Sequence, residues 1–233
     1  MIPGSATTLE FAGLPGSGKS YWASFTAREL TAAGRPVRMP RESLAALLPI
    51  RAMAKARSAT RAILGEPRVP LATVRPLIRS QSSPLEGFRR SLQWLDTQAR
   101  LSSAVPAQGV LIMDEGPLQA LWSVGLGGDW ETALKSLERY GYKRADLAVV
   151  LDVSPGTALA RLEGRDEVHR RLDRISEAED RLALLERGFL LLQDLVAAWS
   201  ERHGPETVIR LDAEQPVQTA EHIRDLLASS PKG

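Results

Sequence analysis

The chain has 233 residues, 43% of them hydrophobic, enough for one sizeable core, and one compact domain is the expectation. Thirty basic residues against 28 acidic ones leave a formal charge of +2, too little for bulk attraction to nucleic acid or to a membrane surface. The absence of cysteine excludes disulfides, thiolate metal sites and a cysteine nucleophile, and no run of about 18 apolar residues suits a membrane span.

From the N-terminus, which has neither the basic flank nor the apolar core of a signal peptide, a cytoplasmic protein is expected. Short apolar runs rich in branched residues then alternate with helical patterns. The predicted strands are Thr7 to Leu14, Pro36 to Pro40, Gly109 to Glu115, Leu147 to Val153 and Thr207 to Ala213. The predicted helices are Lys19 to Ala33, Ser83 to Ser103, Pro155 to Glu163, Ser176 to Glu201 and Pro216 to Ala228. Such alternation with near-continuous apolar strands predicts an α/β fold with a parallel sheet covered on both faces. Residues 51–80 interrupt the pattern with Arg51, Lys55, Arg57, Arg61, Arg68, Arg75 and Arg79 against Glu66 alone. Two readings fit this stretch: inserted helices with solvated basic faces, or a basic wall over a phosphorylated substrate.

The residues between the first strand and the first helix, Gly13-Leu-Pro-Gly-Ser-Gly-Lys19-Ser20, fit G-x-x-x-x-G-K-[ST] without departure. Glycines let the backbone curl so that successive N–H groups converge on phosphate oxygens, and the helix N-terminus adds about half a positive charge. Gly13, Pro15, Gly16, Ser17 and Gly18 thus form a candidate phosphate cradle. Lys19 would reach the β- and γ-phosphates, and the Ser20 hydroxyl would bind Mg²⁺. Only five of the thirty basic residues are lysines, which makes a lysine at this position the more telling. Asp114, at the end of the third strand, is the second candidate metal ligand, with capping of a helix at Pro117 as the alternative. Glu115 would either prepare a water for attack or accept a hydrogen bond from a substrate hydroxyl.

Beyond the fourth strand, Arg161, Arg165, Arg170, Arg171 and Arg174 crowd into fourteen residues, with Gly164 where a helix would end. Clustered guanidiniums suit a lid that closes over transferring phosphates and excludes water, which favours transfer over hydrolysis. An exposed helix end, salt-bridged through Glu163, Asp166, Glu167 and Asp173, is the alternative.

The stretches "FAGLPGSGKS", "PRES" (Pro40 to Ser43) and "LDVSPGTALARLEGR…LDRISEAEDRLALLERGFLLL" together resemble thymidylate kinase and the wider nucleoside and nucleotide kinase group of P-loop proteins. The resemblance covers somewhat under half of the chain. It implies a three-layer α/β/α P-loop NTPase fold with a five-stranded parallel sheet, an acceptor region over 41–105 and a lid over 161–175. It implies ATP as donor, with Mg²⁺, and a small-molecule phosphoryl acceptor as the partner; a membrane or nucleic-acid partner is not expected, and a homodimer stays open. By the same resemblance Arg41 meets the acceptor phosphate and Glu42 works near the metal or nucleophile. Arg161 then lies near the adenine or phosphates, Arg165 with Arg170 or Arg171 acts from the lid, and Leu211 to Pro216, with Asp212, passes beside the adenine. The chain departs from the family in having Asp114-Glu115-Gly116-Pro117 where thymidylate kinases carry Asp-Arg and an aromatic residue, and no thymine-binding residues are recognisable between 65 and 105.

A kinase of another small hydroxyl or phosphate compound therefore stays open beside a nucleotide kinase. Two rivals of other classes are an ATPase with a protein or nucleic-acid partner, and a nucleotide-binding regulatory module without chemistry. Trp22, Trp94, Trp122, Trp130 and Trp199 are expected in the core rather than on a base. His169 falls in the proposed lid, His203 and His222 are expected at the surface, and no zinc site is expected.

Overall fold

A computed structural model of the chain describes residues 7–40, 68–102, 109–164 and 178–228. Five strands, β1 (Thr7–Gly13), β2 (Val37–Arg38), β3 (Val110–Met113), β4 (Leu147–Asp152) and β5 (Val208–Asp212), form one sheet in the order β2-β3-β1-β4-β5. Every neighbouring pair is parallel, and at the centre Leu9 of β1 stands opposite Ile112 of β3 and Leu147 of β4. Each strand is shorter than its predicted run, and β2 keeps only two of its five residues.

Among the described residues the helices are α1 (Lys19–Ala32), α2 (Arg68–Arg79), α3 (Pro84–Ser102), α4 (Pro117–Gly125), α5 (Trp130–Tyr140), α6 (Pro155–Glu163), α7 (Ala178–His203) and α8 (Pro216–Ala228). The strand order makes β1 the turning point: its connection runs outward to β2, whereas the later connections run back across the sheet towards β5. With right-handed crossovers, opposite directions place helices on opposite faces. Accordingly α1 and α8 pack together, joined by Arg224 Nε to Glu29 Oε2 at 2.9 Å, while α4 lies against β1 and α7. The layers agree with the three-layer α/β/α expectation. Two helices, α4 and α5, link β3 to β4, and α5 is one the simple alternation did not predict.

Local chemistry accounts for most helix ends. Asp129 caps α5 by accepting from the Thr132 N–H at 3.0 Å, and Ser154 caps α6 through the Thr157 N–H at 3.3 Å ahead of Pro155. The core lies between sheet and helices: β3 is buried along its whole length, and Phe11, Trp94, Leu121 and Trp199 are almost fully enclosed. Trp22 and Trp122 are buried as well and Trp130 packs on the core, so the tryptophans are structural. No helix among the described residues is long and apolar enough to cross a membrane.

Candidate functional site

The glycine-rich turn sits at the carboxyl end of β1, the turning point of the sheet, where ligands settle in open α/β proteins. Gly16 has φ 86°, and a Cβ there would stand 2.3 Å from the Ala158 carbonyl of α6, so backbone conformation and close packing both demand glycine. Gly18, with φ 89°, precedes the first residue of α1 and carries no side chain to cap it. The early N–H groups of α1 consequently face outward without a side-chain acceptor from that position. Ser17 N–H donates to the Leu14 carbonyl at 3.0 Å and closes the turn. The Lys19 amine reaches back across the turn, donating to the carbonyls of Gly13 and Leu14 at 2.9 and 3.0 Å.

Asp114 follows the last residue of β3, and its carboxylate Oδ2 accepts from the Ser20 hydroxyl at 3.3 Å. Residues 94 positions apart thus meet where two neighbouring strands end. The alternative role for Asp114 is not the observed one: the N-cap of α4 is Gly116, without a side-chain cap. Glu115 beside it is exposed. Arg161, at the end of α6, donates to the Ala213 carbonyl at 2.9 Å, which brings it to the loop after β5. Asp212, the last residue of β5, caps the turn that follows, accepting from Glu214 N–H and Gln215 Nε2, both at 3.0 Å. A second tie, Ser154 N–H to Glu214 Oε1 at 2.7 Å, fastens the loops after β4 and β5 to each other. Arg41, Glu42, Arg165, Arg170, Arg171, Arg174, His169 and most of the basic segment lie outside the described residues.

Two residues escaped the sequence reading. Glu10, in the middle of β1, is fully buried, and its Oε2 accepts from the Leu118 N–H of α4 at 3.0 Å. Its Oε1 has no hydrogen-bond partner among the described residues. Burial pushes this carboxyl from the ordinary 4.5 up to about 8, against the opposing pull of the Leu118 and Gln119 N–H groups. Gln119, buried on α4, accepts from the Gly13 N–H through Oε1 at 2.9 Å. The available signal was a lone acid inside a strand otherwise read as buried on both faces.

His203 also differs from expectation. It ends α7, shares a 3.2 Å hydrogen bond with the Tyr142 hydroxyl and meets the Trp199 ring edge-on at a centroid distance of 4.6 Å. Burial lowers its pKa and raises that of Tyr142. Both residues precede strands, at the end of the sheet opposite the glycine-rich turn. Among the described residues no group of three or more His, Asp or Glu side chains gathers to hold a metal.

The fold and these strand-end loops define a three-layer α/β protein with a five-stranded parallel sheet, an arrangement consistent with the P-loop class. Comparison with known protein families and with curated proteins finds no match to the chain.

Proposed function

We propose that this chain is an ATP- and Mg²⁺-dependent phosphotransferase acting on a small acceptor, a nucleoside or nucleoside monophosphate in the first instance. The observation that carries the reading is the meeting of Ser20 and Asp114 beside the turn that bears Lys19. The donor set suits the ion: a hydroxyl and a carboxylate are hard oxygen ligands, and Mg²⁺ takes few protein ligands when phosphates and waters supply the others. Ser20 and Asp114 would hold it, and when bound it neutralises charge on the phosphate oxygens.

The chain's own residues supply the remaining work. The backbone N–H groups of Gly16, Gly18, Lys19 and Ser20 and the Lys19 ammonium bind the donor phosphates and hold them in line. An acceptor oxygen bonds to the γ-phosphorus as the bond from that phosphorus to the ADP oxygen breaks. The proton of a hydroxyl acceptor passes to Glu42 or Glu115, and Arg41 with Arg165 and Arg170 balances charge on the moving group.

The test is a transfer screen with Mg-ATP against nucleosides, nucleoside monophosphates, sugars and aminoglycoside-like hydroxyl compounds, comparing wild type with Lys19→Ala. One acceptor class is expected to be phosphorylated by wild type, with a loss of about a hundredfold or more in the variant. Hydrolysis independent of any acceptor, or no turnover with every class, would overturn the proposal.

A further inference from the structure

We infer that Glu10 and Gln119 are positioning residues that lock the segment carrying Asp114 and Glu115 onto the glycine-rich turn carrying Lys19 and Ser20. The inference rests on the functional reading above and deepens it, since neither side chain belongs to the candidate ligand set.

The register explains why a lock is needed. Glu10 stands opposite Met113, the last residue of β3, so β1 continues through Phe11, Ala12 and Gly13 without that neighbour. The chain leaving β3 carries Asp114 and Glu115 and enters α4 at Pro117. The first turn of α4 takes over the support of β1. Glu10 Oε2 accepts from Leu118 N–H beneath it, and Gln119 Oε1 accepts the Gly13 N–H, the first of the glycine-rich turn. Gly116 makes the approach sterically feasible, because a Cβ there would lie 2.2 Å from Glu10 Oε2.

A helix cap alone does not require this arrangement. In a chain without Glu10 beside it, a serine or aspartate at position 116 would satisfy the first turn locally. Here the acceptor comes instead from the neighbouring strand, at the cost of enclosing an ionisable group whose Oε1 stays unpartnered among the described residues. A local cap would leave α4 free to shift against β1, whereas this one holds the two together. The Ser20 to Asp114 separation of 3.3 Å depends on that relation, because Ser20 opens the helix that follows β1 whereas Asp114 follows β3.

The experiment is calorimetric titration of ATP with Mg²⁺ and with EDTA, using wild type, Gln119→Met and Gln119→Glu, with thermal midpoints measured alongside. In wild type, Mg²⁺ is expected to tighten ATP binding by roughly tenfold or more, the usual scale of coupling between two ligands. Gln119→Met keeps the length but removes the acceptor, and the Mg²⁺ enhancement is expected to fall to about twofold or less. Gln119→Glu keeps an oxygen for the Gly13 N–H and restores most of the enhancement. Should the methionine variant fail to fold, Gln119→Asn, which withdraws the acceptor by one carbon, gives a smaller loss in the same direction. An undiminished Mg²⁺ enhancement in the folded variants, whatever their thermal midpoints, overturns the positioning role, because a purely structural part would change the midpoint alone. Wild type that binds no ATP, or binds it equally with and without Mg²⁺, overturns instead the functional reading and this inference with it.

Discussion

Glu10 shows how one residue can set the pH response of the fold. Burial raises its carboxyl from 4.5 to about 8, so between those values the folded chain keeps a proton that the unfolded chain has released. Its contribution to stability is complete below about pH 4.5 and is lost as pH rises through 8. The loss is on the order of 5 kcal/mol across that window. Glu10→Gln keeps an oxygen for the Leu118 N–H and cannot ionise. Urea denaturation at pH 5 and pH 8 should therefore show the variant gaining on wild type as pH rises, and an equal pH dependence in both chains would refute the assignment. The motif residues Lys19, Ser20 and Asp114 were legible in the chain because spacing and neighbouring elements mark them. Glu10 was not, since a carboxylate in a strand looks the same in sequence whether it meets water or a helix N-terminus.

Among the elements, α5 tests how far local rules carry. Asp129 accepts from Thr132 N–H, and the Thr132 hydroxyl, followed by this N–H, holds its carboxylate below the ordinary range. Asp129→Ala removes the cap and is expected to cost about 1 kcal/mol in urea denaturation. A loss of several kcal/mol would mean that the residue supports more than its own helix. The opening prolines of α4, α6 and α8 can be read directly from the chain, whereas the cap Asp129 is recognised only once α5 is seen. The cap of α4 cannot be read there either, because its acceptor stands 108 positions away on β1. The two-residue extent of β2 was equally hidden: its partner β3 supplies pairing only at Val110 and Leu111.

For the whole molecule, stability rests on the sheet and its two helical layers. Ile112, wholly buried on β3 beside β1 in the sheet, is expected to cost about 2–5 kcal/mol when replaced by alanine, seen as a lower urea midpoint with an unchanged slope. A small loss would mean that the surrounding side chains collapse into the gap. Strand periods, helix caps and the steric demands of a glycine turn act between near neighbours. The α/β class, the five strands and the glycine-rich turn were therefore written in the chain. The strand order, the meeting of Ser20 with Asp114 and the hold of Glu10 and Gln119 on α4 and Gly13 arose on folding. Parallel crossovers join residues about a hundred positions apart, and the energies that decide those contacts are desolvation and close packing, which no local pattern contains.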